Sequence, residues 1–132
     1  MCTTVSAEFL IVGDTFNPNK VSSILKIKPT GYYVKGEKVT GRNLIRKETC
    51  WFLKTECEKS LDINDQLSKI IKPLIGIKKE LIELKKQMVI DYKFFIVIKI
   101  EENQVPAMYL LSEVIEFIGH IQAEFEFDVY VQ

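Results

Sequence analysis

Few side chains in this sequence are of the kinds that usually carry catalysis or bind metals. The 132 residues include one histidine and three cysteines, and no two cysteines have the C-x-x-C spacing that favours zinc. The sequence has no G-x-S-x-G nucleophile elbow that could supply a serine for His120 to activate. We interpret His120 as a helix-end residue that complements the helix dipole. We interpret Cys2, Cys50 and Cys57 as buried or incidental thiols. The sequence therefore predicts no catalytic residues, no metal and no cofactor.

An excess of either charge is also absent. Eighteen basic and eighteen acidic side chains give a formal net charge of zero, which argues against nucleic acid as a partner because phosphate binding needs concentrated positive charge. No apolar run is long enough to cross a bilayer, and the first residues lack the basic and apolar regions of a signal peptide. We expect a cytoplasmic protein that does not bind membranes, and an odd number of cysteines suits that reducing compartment.

The sequence has enough apolar residues to form a core. They make up 47% of a chain whose length is close to the commonest domain size. A single domain over residues 1–132 is expected.

The first half of the chain alternates predicted strands and helices. Residues 5–12 predict a strand, and Asn17 with Pro18 predicts a helix start, with Pro29 ending that helix. "GYYVKGEKV" predicts a weak strand or hairpin, residues 40–47 a loop, and "ETCWFLKTE" a further strand.

The second half begins with a long helical region. Residues 60–87 carry two apolar stripes, with Asp62 as the predicted N-cap and with a break or kink at Pro73. "KFFIVIKI" predicts a central strand that is covered on both faces. "PAMYLL" predicts a short strand or an extended lead-in to the last helix.

The last helix and the closing strand complete the pattern. Ser112 is the predicted cap of the helix, whose buried face is predicted to consist of Val114, Ile115, Ile118 and Ile121. The strand in "AEFEFDVYVQ" alternates apolar and polar residues, and its Phe and Val side chains predict a position inside the sheet.

Strand–helix–strand units early and late in the chain predict the fold class. We expect an α+β two-layer sandwich, with a mostly antiparallel twisted sheet and helices on one face. The units favour ferredoxin-like split βαβ topology and suggest a pseudo-duplication.

Two groups of residues are candidates for binding. Glu124, Glu126 and Asp128 project to one side of the closing strand, together with Tyr130, and could meet a cation or a basic partner; alternatively they form a solvated face opposite cross-strand lysines. The second group combines aromatic and basic residues, which often anchor binding patches: Tyr32, Tyr33, Lys35, Arg42, Arg46 and Trp51. In its alternative, Trp51 is a core residue and the arginines are solvated.

The order of several segments resembles a bacterial family catalogued as domain of unknown function four-two-seven-nine. The resemblance runs through "AEFLIVGDTFNPNKVSSILKIKPTGYYVKGE", "CWFLKTE", "SLDINDQLSKIIKPL" and "FEFDVYV". It implies a small bacterial cytoplasmic domain and implies no activity. The positions that match the family are Asp14, Lys35, Gly36, Trp51, Asp128 and Tyr130.

These observations favour a binding protein over an enzyme. The first hypothesis is a non-catalytic, stoichiometric binding protein, of which an immunity protein that neutralises a toxin is one form. The alternative is a small-molecule-binding or sensory module of ferredoxin-like type. A homodimer through the edge of "GYYVKGE" is a further expectation in either case.

Overall fold

The fold is α+β, with one six-stranded sheet and four helices, in a computed structural model that describes residues 1–132. The strands are β1 (Thr4–Gly13), β2 (Gly31–Tyr33), β3 (Thr49–Lys54), β4 (Glu58–Lys59), β5 (Asp91–Ile100) and β6 (Glu124–Val131). The helices are α1 (Pro18–Leu25), α2 (Asn64–Ile75), α3 (Lys78–Gln87) and α4 (Ser112–His120).

The sheet is open, mixed and mostly antiparallel, in the order β2-β3-β1-β5-β6. Thr4 of β1 pairs with Lys59 on one side and with Lys99 on the other, so β4 lies on the same side of β1 as β3. Only β5 and β6 run parallel. Since β1 and β2 are both antiparallel to β3, they run in the same direction with β3 between them.

The predicted start of α1 is confirmed, and its predicted end is wrong. The Asn17 side chain accepts a hydrogen bond from the backbone N–H of Asn19 at 3.0 Å, and Pro18 occupies the first turn. The helix stops at Leu25 because Lys26 is left-handed, with φ +56°, a conformation that ends a helix. Pro29 lies beyond that end.

The predicted long helical region is two helices. Its first stripe is buried as predicted. The N-cap is Ile63 and not the predicted Asp62, whose carboxylate still accepts the backbone N–H of Asn64 at 2.9 Å. Pro73 lies inside the last turn of α2, where its missing N–H costs only one hydrogen bond. The helix therefore continues to Ile75, and the break falls at Gly76 and Ile77.

Two details of the last helix differ from the prediction. The cap is Leu111, which makes no side-chain capping bond, and Ser112 is the first helical residue. Ile115 is exposed and Phe117 is buried in its place. The segment "PAMYLL" forms no strand; Ala107 makes only an isolated bridge to Asp62.

One hydrophobic core lies between the helices and one face of the sheet, which we call the helix face. Successive strand residues point to opposite faces, and on β1 and β5 the alternate residues of the helix face are fully buried: Val5, Ala7, Phe9, Ile11, Tyr92, Phe94, Ile96 and Ile98. They belong to the same cluster as the buried residues of all four helices.

The two closing strands differ most from the prediction. β5 has a neighbour on each side, but the helices cover only one of its faces. On its other face Lys93, Phe95 and Val97 are only half-buried. β6 lies at the edge of the sheet instead of inside it. Its apolar residues point to the helix face, yet Phe127 and Val129 stay exposed.

Candidate functional site

The side of the sheet opposite the helices, which we call the open face, has an apolar centre. The register places Phe52 of β3 beside Leu10 of β1, and Phe95 of β5 beside Glu8 of β1. Leu10, Phe52, Phe95 and Val97 are all half-buried. No helix covers this side, so a patch of apolar surface remains accessible to a partner.

Acidic side chains line the β6 edge of the open face. Glu124, Glu126 and Asp128 are exposed and lie opposite Lys93, Phe95 and Val97 of β5, respectively. The predicted lysine is thus present opposite Glu124 only. None of the three carboxylates forms an ion pair. Tyr130, at the end of the same row, is also exposed and lies opposite Lys99.

An aromatic and an arginine side chain lie at the opposite edge of the same face. Tyr33 pairs with Cys50, which pairs with Val12, so Tyr33 points to the open face. The Arg46 guanidinium carbon lies 4.0 Å from the centre of the Tyr33 ring, a cation–π contact. Four strand spacings separate this edge from β6, which is roughly 19 Å.

Burial changes the acidity of two groups at this aromatic edge. It raises the pKa of Tyr33 to about 12, and the neighbouring Cys50 acts in the same direction. Burial also raises the pKa of the Cys50 thiol to about 11. Both groups are therefore neutral near pH 7, and Cys50 has little thiolate character.

The remaining basic residues of the predicted cluster are separated from one another. Lys35 pairs with the carboxylate of Asp14, and both side chains are largely exposed. Arg42 is exposed in the loop between β2 and β3, where its backbone N–H donates to Val39 at 3.1 Å. The structure thus brings Tyr33 and Arg46 together and leaves Arg42 apart in the loop.

Trp51 has no accessible surface and lies on the helix face. Its indole N–H donates to the Ser22 hydroxyl of α1 at 2.9 Å. A partner cannot contact a side chain in this position. The predicted binding role of Trp51 is therefore corrected, and the alternative in which Trp51 is a core residue describes its position.

Asp128 and Tyr130, the other predicted site residues, lie on the open face at the edge opposite Tyr33 and Arg46. The apolar centre between the two edges was missed from the sequence. The only signal for it in the sequence is that Lys93 and Lys99 lie on the same face of β5 as Phe95 and Val97. Lysines on that face indicate that it is open to water.

His120 is exposed at the end of α4. Its Nδ1 lies 3.4 Å from the Lys78 ammonium, and its Nε2 lies 4.0 Å from a carboxylate oxygen of Glu116. The three cysteines are free, and no group of three or more His, Cys, Asp or Glu side chains could hold a metal ion. No helix is long and apolar enough to span a membrane.

The chain also has a groove of about 410 Å³ outside the open face. Ile27, Leu53 and Ile70 supply its apolar lining. Lys69 and Glu58, which form an ion pair at 2.7 Å, line the same groove. Such a groove has the size of a small-molecule site.

Residues 3–132 match the family model described as "Domain of unknown function (DUF4279)". No curated protein and no solved structure matches the chain.

Proposed function

The chain belongs to the family described as a domain of unknown function (DUF4279), and we propose that it is a non-catalytic protein-binding module whose partner contacts the open face of the sheet. The observation that carries the proposal is the apolar centre of that face. Leu10, Phe52, Phe95 and Val97 stay half-buried on a side that no helix covers. Protein interfaces commonly place such an apolar centre within a polar rim.

The two edges of the open face supply a rim of opposite charges. Arg46 with Tyr33 lies at the β2 edge, and Glu126 with Asp128 lies at the β6 edge. A partner with matching charges would be held in one orientation, because electrostatic complementarity fixes the register of an interface.

An immunity protein that neutralises a toxin is the form of this function that we propose. It acts by stoichiometric binding and needs no catalytic residues, which agrees with a chain whose one histidine makes its side-chain polar contacts with Lys78 and Glu116. Immunity proteins are similar in size and composition, and this analogy gives a toxin as the class of partner.

Affinity capture from host cells with three matched baits tests the proposal. Wild type and Lys79→Glu, which changes an exposed residue of α3, should retain the same partner in equal amounts. Phe95→Glu should lose it, because a buried carboxylate at the interface is costly to desolvate. Circular dichroism must show all three baits folded. A partner that binds all three baits equally, or no partner at all, would contradict the proposal.

A small-molecule-binding module is the second candidate, and the groove beside Ile27 and Ile70 favours it. Its volume of about 410 Å³ lies within the usual range for ligand sites. Thermal unfolding across a panel of metabolites tests this candidate. A compound whose stabilisation is lost in Ile70→Ala and kept in Phe95→Glu would support it, and a flat panel would count against it.

We also propose that the first five strands and the first three helices form a ferredoxin-like core. The strand order β2-β3-β1-β5, with β1 and β2 parallel and β3 between them, supports this assignment. The unit β5-α4-β6 differs, because its two strands are direct neighbours. The difference gives no support to a pseudo-duplication.

The homodimer through the β2 edge stays a proposal. β2 has three residues, Gly31–Tyr33, and offers few backbone groups to a second copy. Sedimentation of the purified protein over a range of concentrations measures this association directly.

A further inference from the structure

The outer edge of β6 offers unpaired backbone groups over a long stretch. β6 has eight residues and only one neighbour, β5. The backbone N–H of Gln132 donates to the Ile100 carbonyl on β5. Because strand residues alternate, the N–H and C=O groups of Phe127, Val129 and Val131 point away from β5. A long strand with such a free edge can pair with another strand.

The same three residues carry exposed apolar side chains. Phe127 is 41% exposed, Val129 is 45% exposed and Val131 is 72% exposed, all on the helix face. A strand added beside β6 would place alternate side chains next to this stripe. Apolar side chains at those positions would bury surface that is now open to water.

The acidic side chains of β6 on the open face favour basic side chains on the added strand. Glu124, Glu126 and Asp128 project to the open face and form no ion pair. Basic side chains on a neighbouring strand would lie opposite these carboxylates at about 5 Å. The added strand should therefore alternate apolar residues with lysine or arginine.

A second copy of this chain does not meet that requirement. Antiparallel pairing of β6 with itself about a two-fold axis at Phe127 would place Glu126 opposite Asp128 twice. An axis at Asp128 or at Glu126 would place that carboxylate opposite itself, and an axis at Val129 would place Asp128 opposite Tyr130. No register brings a basic side chain opposite the acidic row, because β6 contains no lysine or arginine. Like charges directly opposite are destabilising.

We propose that the free edge of β6 binds an extended segment of a partner protein by strand addition, and that this segment alternates apolar with basic residues. This inference rests on the proposed binding function and names the chemistry of the partner. Backbone hydrogen bonds would supply affinity, while the apolar stripe and the acidic row would supply specificity.

Two synthetic peptides test the inference on the full chain. One alternates valine and lysine over eight residues, and the other alternates valine and glutamate. The lysine peptide should bind at least about tenfold more tightly, and salt should weaken its binding. In exchange experiments, the amide protons of Phe127, Val129 and Val131 should become protected on binding. Equal affinity of the two peptides, absence of binding at millimolar concentration, or unchanged exchange would overturn the inference.

The variant Val129→Pro separates strand addition from simple charge attraction. Its lost N–H points away from β5, and proline is tolerated at such positions of an edge strand. Val129→Thr keeps the N–H and the β-branched shape, and is the matched control. The lysine peptide should bind the threonine variant like wild type and the proline variant at least about tenfold more weakly. Equal binding to both variants would contradict strand addition.

The captured partner distinguishes failure of this inference from failure of the proposed function. A partner that is lost with Phe95→Glu but kept with Val129→Pro supports binding at the open face and refutes strand addition. A partner lost with both variants supports both statements. If neither variant loses the partner, both are refuted.

Discussion

The indole of Trp51 makes a partly buried hydrogen bond that connects α1 to the sheet. Its N–H has the Ser22 hydroxyl as partner, and the ring has no accessible surface. In Ser22→Ala the N–H would lose that partner inside the core. We expect the free energy of unfolding to fall by about 1–3 kcal/mol.

Urea unfolding measures this loss, with Ser23→Ala as the matched control. Ser23 is exposed one position further along α1, so its replacement should change the free energy of unfolding by less than about 0.5 kcal/mol. An equal decrease in the free energy of unfolding in both variants would show that the hydrogen bond between Trp51 and Ser22 does not stabilise the fold.

Tyr33 should make stability depend on pH in the alkaline range. Burial, followed by the neighbouring Cys50, raises its folded-state pKa from 10.0 to about 12. Above pH 10 the unfolded chain therefore releases this proton while the folded chain keeps it, so stability falls as pH rises towards 12. Below pH 10 the group has no effect.

The effect of Tyr33 ionisation on stability is measured as the difference in urea midpoint between wild type and Tyr33→Phe. Phenylalanine cannot ionise, so the urea midpoint of wild type should fall relative to the variant between pH 10 and pH 12. Both proteins should carry Cys50→Ala, because Cys50 titrates in the same range and the Tyr33 hydroxyl lowers the pKa of its thiol in wild type only. A constant difference throughout would contradict the raised pKa.

Some residue positions could be predicted from the sequence because their cause is local. Asn17 caps α1 through a bond two residues away. The buried face of α4 was predicted correctly at Val114, Ile118 and Ile121 but not at Ile115. Whether Ile115 or Phe117 points inward depends on contacts with other elements, and the structure buries Phe117.

At the level of elements, the break between α2 and α3 offers a stabilising substitution. Gly76 has helical angles, with φ −64° and ψ −19°, and an added Cβ would lie 3.7 Å from its nearest neighbour, the Pro73 carbonyl. Gly76→Ala should therefore raise the free energy of unfolding by about 0.4–1 kcal/mol, since alanine restricts the unfolded chain.

Gly36→Ala is the matched comparison for that substitution. Nothing lies within 4 Å of its added Cβ, but its φ of +93° disfavours any side chain. It should destabilise the protein by about 1–2 kcal/mol. Thermal unfolding measures both variants, and a shift of the same sign in both would contradict this account of the two backbone angles.

The alternating pattern of β6 predicts that the segment is a strand but does not predict its place in the sheet. Strict alternation predicted the strand correctly, and Glu124–Val131 forms it. Alternation does not distinguish a central strand from an edge strand, because both have two unlike faces. The position of β6 depends on the crossover through α4, which places it parallel to β5 at the margin of the sheet.

For the whole molecule, the acidic row of β6 should act as a barrier to self-association. With its two-fold axis at Phe127, a dimer through this edge would bring Glu126 opposite Asp128 of the second copy twice. Asp128→Lys converts both contacts into pairs of opposite charge, so the dimer fraction should rise. Sedimentation of wild type and variant at equal concentrations measures it.

Glu83→Lys is the control for the change in net charge. Glu83 is exposed on α3, away from the sheet edge, and its replacement should leave sedimentation unchanged. A dimer fraction that rises equally in both variants would show that net charge, and not the β6 edge, controls association.

The sequence predicted the α+β class but not the open face. Its periodicity predicted most strands and helices correctly, since each depends on local pattern. Which face of β5 lacks a cover depends on where the helices dock, and "KFFIVIKI" is apolar enough to suggest cover on both sides. The docking of α1 also explains why the predicted aromatic and basic cluster is divided. Trp51 lies in the core against this helix, while Tyr33 and Arg46 lie on the open face.

A partner bound at the open face should shield that face from hydroxyl radicals, and footprinting of the complex measures this protection. Phe52 and Phe95 should be oxidised more slowly when the captured partner is bound. Met108 and Tyr109, which are exposed outside the sheet, should react equally with and without it. Protection of Met108 and Tyr109 with no change at Phe52 and Phe95 would place the partner elsewhere and refute binding at the open face.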